Sequence, residues 1–260
     1  MPTPLSSAHP APATPTEGGS PMVITPEIPL KDLASSNASA HVLEDYRFDY
    51  CCGGQQSLAE ACRSAGHDLQ QVMIALDAAL ALGDTQPVAP TRTLAELIAF
   101  IVDTHHAFTR AELPRIQDLV EKVTAHHGER HPELNVVRDA FLALQAELVP
   151  HLMKEERILF PYILDFERHR QGESPSPPAA CFGSIENPLQ QMLSEHEAAG
   201  SLLKQLRRLT NDFEAPTDAC TTYRSTYRAL EALERDLMRH INLENNILFP
   251  AARALAADAG

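Results

Sequence analysis

Two eleven-residue stretches hold the residues best able to do chemistry in this 260-residue chain. His151-Leu-Met-Lys-Glu155-Glu-Arg-Ile158-Leu159-Phe160-Pro161 and His240-Ile-Asn-Leu-Glu244-Asn-Asn-Ile247-Leu248-Phe249-Pro250 share the pattern H-x-x-x-E-x-x-I-L-F-P. A histidine and a glutamate four apart lie one turn apart on one face of a helix. A single such pair on a solvated stripe is ordinarily a side-chain hydrogen bond. Two copies in the same Ile-Leu-Phe-Pro context, beside Leu148, Leu159, Leu237 and Leu248, point instead toward a core. Buried imidazoles and carboxylates are costly unless paired or coordinated. Each copy also follows a helical pattern with its own inward histidine: His106 lies 45 residues before His151, and His196 lies 44 before His240. Four imidazoles and two carboxylates exceed one tetrahedral zinc site. They suit two adjacent first-row ions, each taking two His nitrogens, with Glu155 and Glu244 bridging. Mixed nitrogen and oxygen ligation with open positions favours iron, and manganese also fits. His196-Glu197 is followed by Ala-Ala-Gly rather than by a second histidine, which disfavours a zinc protease.

The elements that must position these residues read as helices throughout. Leu94, Leu97, Ile98, Ile101, Val102 and the His105-His106 pair share a face, and this helix should reach about His127, with Pro114 interrupting or restarting it. Gly128 and Pro132 mark a turn. A long helical pattern over 133–167 contains Pro150, which should kink or split it. A Pro- and Ser-rich loop over 169–184 precedes helical patterns at 186–210 and 218–256. Upstream, His41–Phe48 reads as a short helix. Ser57 and Glu60 have capping-box spacing for a helix over Leu58–Ala65, and Asp68 is a suitable cap for another reaching about Leu82. No alternating β-branched run suggests a sheet. The expected fold is all-α: a small N-terminal helical domain (37–83), a linker (84–93) and an antiparallel four-helix bundle (94–260). Residues 1–36 read as a disordered tail, since 1–29 hold eight of the 20 prolines and no Lys or Arg. Lacking a basic start and an apolar run, this segment does not read as a signal peptide, and a cytoplasmic location is the expectation.

Charge narrows the partners. The formal net charge of −14 argues against nucleic acid, and no stretch approaches the roughly 20 apolar residues of a membrane span. Five cysteines make a poor disulfide framework and suit a reducing compartment. Cys51 and Cys52, followed by Gly53-Gly54, read as a thiol pair on a flexible turn. Such a pair can deliver electrons, exchange disulfides or pass on iron or sulfur; the competing reading is two small apolar fillers. Cys62, Cys181 and Cys220 read as structural or incidental. Glu147, one turn before His151, and Glu195, beside His196, are candidate ligand-orienting or proton-relay carboxylates, with ordinary solvated glutamates as the alternative.

From residue 40 onward the chain resembles the iron–sulfur cluster repair di-iron proteins, which have a hemerythrin-like bundle. The resemblance rests on Phe48-Asp49-Tyr50-Cys51-Cys52-Gly53-Gly54, on both H-x-x-x-E stretches, on Ser194-Glu195-His196-Glu197-Ala-Ala-Gly200 and on Ala219-Cys220-Thr-Thr222. It implies the ligand set His106, His151, Glu155, His196, His240 and Glu244, in agreement with the spacing. It also implies that His105 is a neighbour or surface residue, and that His127 is at most an optional further ligand; a solvated helix end explains His127 equally well. Further implications are a pair of non-haem iron ions and repair of clusters damaged by oxidative or nitrosative stress. Iron donation and reduction of nitric oxide to nitrous oxide are the two mechanisms that fit, so the chain is a candidate nitric oxide reductase. Partners would be damaged iron–sulfur proteins or a scaffold, nitric oxide or oxygen, and an electron donor; a homodimer is allowed. The rival reading is a hemerythrin-type sensor or carrier of oxygen or nitric oxide without turnover.

Overall fold

The computed structural model describes residues 22–82, 93–179 and 182–257, so the first 21 residues of the expected tail, most of the linker and Cys181 lie outside the described residues. Four long helical rods dominate. The first runs from α5 (Leu94–Phe100) through a π-helical stretch, Ile101–His106, into α6 (Ala107–His127). The second joins α7 (Glu133–Lys154) through π-helical Glu155–Leu159 to α8 (Phe160–Arg170). Helix α9 (Glu186–Leu209) is the third, and α10 (Thr221–Leu243), π-helical Glu244–Leu248 and α11 (Phe249–Ala257) form the fourth. Helix α6 packs on α7 and α10, and α7 packs on α9, which closes an antiparallel bundle. Apart from one isolated bridge between Pro29 and Ser57, no strand pairing occurs among the described residues, and no helix there is long and apolar enough to cross a membrane.

The prolines act differently from the expectation. Pro114 and Pro150 lie inside α6 and α7 without breaking either helix. Both are exposed, as are Arg110 and Ala146 four residues earlier, so water can take the carbonyls that lose their partner. Helical irregularity falls instead just before Pro161 and Pro250, where each repeat opens into its π-helical stretch, and also at Ile101–His106, which no nearby proline follows. A proline ring crowds the carbonyl four residues back, and a widened turn relieves that contact. The Ile-Leu-Phe-Pro ending therefore shapes the backbone at the preceding glutamate.

Two apolar clusters occupy opposite ends of the bundle, one built around Phe141, Leu144, Leu230 and Leu233, the other around Ile101, Phe160, Leu189 and Phe249. A third belongs to the small N-terminal unit and reaches Met238 and Ile241 on α10, so the unit is seated on the bundle. It consists of α1 (Leu30–Leu33), α2 (Asn37–Asp45), α3 (Leu58–Ala65) and α4 (Leu69–Ala81). The expected caps form: Ser57 and Glu60 make a capping box, and Asp68 accepts from the Gln70 and Gln71 amides. Two boundaries differ. Helix α2 starts four residues before His41 because Ser36 caps it, and it ends at Asp45 ahead of Arg47, whose φ is 62°. Residues 22–36, assigned to the tail on composition, are folded: Ile24, Leu30, Leu33 and Ala34 are buried in the N-terminal core. Their apolar side chains, rather than the prolines around them, decide their state.

Candidate metal centre

Each rod sends one histidine to the middle of the bundle, between the two apolar clusters. The second and fourth rods each add the glutamate one turn on. His106, Glu155, His240 and Glu244 form one group of mutually close ligand atoms, and His151, Glu155, His196 and Glu244 form another. Both glutamates belong to both groups, and their oxygens are divided between them. Glu155 places Oε2 3.4 Å from His106 Nε2 and Oε1 3.3 Å from His151 Nε2. Glu244 places Oε1 3.0 Å from His240 Nε2 and Oε2 3.1 Å from His196 Nε2. Within each histidine pair the Nε2 atoms are 3.1 Å apart.

All six residues are buried, yet both oxygens of Glu155 and Oε2 of Glu244 have no hydrogen-bond partner among the described residues. Orphaned buried carboxylate oxygens facing imidazole lone pairs are what a cation would satisfy. The donor set thus fits metal binding, with one oxygen from each carboxylate available to each of two positions.

The repeat extends further than the sequence reading took it. The residue after each shared glutamate orients a histidine on another rod: Glu156 Oε1 is 2.6 Å from His106 Nδ1, and Asn245 Oδ1 is 2.8 Å from His196 Nδ1. The phenylalanines of the two repeats pack on the same two imidazoles, Phe160 against His106 and Phe249 against His196, at 5.7 and 5.9 Å between ring centroids. Histidine ligands usually have such a partner on the other ring nitrogen. Glu156 and Asn245 escaped notice because they differ in type, although the matched register of the two copies would have found them.

Glu195 Oε2 lies 2.8 Å from His151 Nδ1. Burial works against its ionisation, but hydrogen bonds from Lys154, Gln191 and His151 outweigh that and hold its carboxyl at about 2. A group that acidic stays ionised at neutral pH and sits where it accepts from the back of His151. Glu147 is exposed and lines, with Glu195, a cavity of about 10 Å³ that reaches His151, His196 and His240. His105 is buried, not on the surface. It stacks on His240 at 5.8 Å and bonds Asp236 through Nδ1 at 2.9 Å, while Nδ1 of His240 has no partner among the described residues.

His127 requires correction. It belongs to neither ligand group. It ends α6, 21 residues beyond His106, and a rise of about 1.5 Å per residue puts it roughly 30 Å away. There its Nε2 meets Cys220 Sγ at 3.2 Å.

The thiol turn also differs from expectation, being docked rather than free. Asp49 Oδ1 accepts from the Cys52 and Gly53 amides at 3.0 and 3.2 Å, and Asn245 Nδ2 donates to the Cys51 carbonyl at 3.2 Å. A Cβ on Gly53 would sit 2.8 Å from the Asp49 carbonyl, and one on Gly54 2.5 Å from that of Tyr50, so the fold admits no side chain at either. Cys52 Sγ lies 3.7 Å from the backbone carbonyl of His196, and Cys51 is buried. The hydrogen bond with Cys52, burial and the Asp49 charge together push the Cys51 thiol well up.

In the metal-free protein the centre has its own proton chemistry. Burial disfavours protonated His151, but Glu155, Glu244 and Glu195 outweigh it and raise its pKa from 6.5 to about 9. His106 is raised by the same balance, with Glu155, Glu244 and Glu156 prevailing. For His151 the difference corresponds to stability on the order of 3 kcal/mol. Because the folded value is the higher one, that stability is complete below pH 6.5 and is lost as pH rises through about 9. Metal must displace the same proton, so its affinity should rise across the same window. Denaturant unfolding of chelator-treated protein from pH 6.5 to 9 should show falling stability, and metal titrations should show strengthening binding. A flat stability profile would contradict the assignment.

Comparison with known proteins agrees with this geometry. The model of the hemerythrin HHE cation binding domain matches residues 97–252. That of ScdA_N, a domain of unknown function, matches residues 31–80. The chain is similar to the iron-sulfur cluster repair protein YtfE of Edwardsiella ictaluri, at 40% identity over 232 residues, covering 86% of this chain and 96% of that one. The protein of the same name from Citrobacter koseri is 37% identical over 234 residues, covering 88% and 97%.

Proposed function

The chain belongs to the family of iron–sulfur cluster repair proteins with a hemerythrin HHE bundle, and from that premise we propose that it restores clusters damaged by oxidative or nitrosative stress, using a carboxylate-bridged pair of iron ions. The observation that carries this reading is the division of the Glu155 and Glu244 oxygens between two histidine pairs. His106 and His240 would hold one ion and His151 and His196 the other, each with one oxygen from either glutamate. Two nitrogens and two oxygens leave positions open on an ion that accepts six ligands. When bound, the pair supplies iron for transfer to a damaged cluster and redox-active positions for reducing nitric oxide to nitrous oxide.

The chain's own residues prepare the site for that work. Leu148, Ala199, Leu237 and Ile241 wall the cavity beside the centre and limit water there to about one molecule. Glu147 lies at this cavity as a carboxylate able to pass protons, while Glu195 and Glu156 fix the ring orientation of His151 and His106. The decisive experiment is anaerobic: nitric oxide is added to reduced, iron-loaded protein and nitrous oxide is assayed, alongside recovery of activity in a damaged aconitase. A stable nitric oxide complex with neither product nor recovery would replace repair with sensing or carriage.

Glu147→Leu and Glu195→Leu should separate two roles. Glu147→Leu is expected to keep full iron content and to slow nitrous oxide formation. Glu195→Leu frees the His151 ring and should weaken metal binding by about 10–100-fold. Normal turnover in both variants would remove these carboxylates from the mechanism.

A further inference from the structure

Beside the centre lies a second group of ligating atoms that the bridged site does not use. Asp49, Cys51 and Cys52 place a carboxylate oxygen and two sulfurs mutually within 4.8 Å. The two Sγ atoms are 3.7 Å apart, and Cys51 Sγ is 3.4 Å from Asp49 Oδ1. Two sulfurs each about 2.3 Å from one ion at the tetrahedral angle are separated by about 3.8 Å, and a sulfur and a carboxylate oxygen by about 3.6 Å. The two spacings that involve Cys51 are thus close to those of a tetrahedral site before any ion enters, and the third pair, Cys52 with Asp49, lies within 4.8 Å.

We propose that Asp49, Cys51 and Cys52 form a third cation site, selective for a thiophilic first-row divalent ion such as ferrous iron. Charge supports it. Two thiolates and one carboxylate carry three negative charges, which a divalent ion and the Lys204 ammonium, 2.6 Å from Asp49 Oδ2, neutralise. Each thiol releases its proton to water as its sulfur binds, and no electron is transferred. A cavity of about 50 Å³, lined by Asp49, Cys51, Gly200 and Lys204, opens beside the group and has room for a water as fourth ligand. The backbone amides of Cys52 and Gly53 hold Asp49 Oδ1 in place, so the site is preorganised. Cys52 Sγ also touches the His196 carbonyl, which puts this site against the bridged centre. A site there would be placed to take up iron released from the centre; this use rests on the proposed iron donation, whereas the binding itself does not.

The test is a cobalt(II) titration of the iron-loaded protein, kept anaerobic with a non-thiol reductant. Cobalt–thiolate charge-transfer absorption reports sulfur ligation directly. The expected result is one cobalt per chain retained through gel filtration, with that absorption, and with iron content unchanged. Cys51→Ser/Cys52→Ser should lose both the cobalt and the absorption and keep its iron. Asp49→Asn, which keeps the amide contacts through Oδ1 but removes the charge, should weaken cobalt binding and covers the case in which the serine variant does not fold. Absence of the absorption in the parent protein, or its persistence in the serine variant, would overturn the site. A negative repair assay would leave the titration result standing, so failures of the two readings are distinguishable.

Discussion

Glu155→Ala is expected to strip both metal positions, leaving a protein with almost no bound iron. The carboxylate sends one oxygen to each histidine pair, so its loss takes a donor from both positions at once. Removing merely an outer partner of a ligand costs 10–100-fold in affinity, so losing a shared ligand should cost more than about 100-fold at each position. Glu155→Gln makes the prediction sharper. The amide has the same shape but only one acceptor oxygen, so it can serve one position and not the other. Iron content should fall to near zero in the alanine variant and to about half the parent value in the glutamine variant. Equal iron content in parent and alanine protein would refute the bridging geometry.

Arg239→Ala should loosen the N-terminal unit from the bundle. Glu44 on α2 is buried, and Arg239 on α10 holds both its oxygens, at 2.6 and 2.8 Å, with help from the Tyr50 hydroxyl at 2.9 Å. Breaking a buried ion pair from one side typically costs about 3–5 kcal/mol; here Arg239 is partly exposed and Arg235 Nη1 remains 3.7 Å from Glu44 Oε2, so the loss should fall at or below the lower end of that range. Neighbouring pairs, Arg47 with Glu231 and Arg235 with Asp45, are half-exposed and contribute little by comparison. Unfolding in denaturant should therefore begin at lower concentration, with the N-terminal unit released before the bundle. The buried Cys51 thiol should become reactive toward a thiol reagent under native conditions. Adding Glu44→Gln removes the stranded charge and should recover part of the stability. Unchanged unfolding and thiol reactivity in Arg239→Ala would show that the apolar contacts through Met238 and Ile241 suffice for docking.

Much of this site was legible in the sequence because its information is local. The four-residue step between His151 and Glu155, and between His240 and Glu244, fixes both side chains on one helix face whatever the rest of the chain does. The repeat then pairs the two faces, and capping residues such as Ser57 and Asp68 set helix starts without reference to distant partners. The same local logic failed where composition and packing disagreed. Prolines suggested a tail through residue 36, yet Leu30 and Leu33 are fully buried; prolines at 114 and 150 suggested breaks that exposed carbonyls made unnecessary.

By itself the sequence determined an all-α chain, the order of its helices, and the two histidine–glutamate steps that face a common core. Only the tertiary structure decided which oxygen of Glu155 and Glu244 meets which imidazole, because that depends on the rotation and stagger of one helix against another. The same lateral placement brought Glu156 and Asn245 to the backs of His106 and His196, set Cys52 against His196, and carried His127 to the far end of α6. Periodicity along one helix encodes a face; contact between helices also needs their relative phase, which no single stretch of sequence contains.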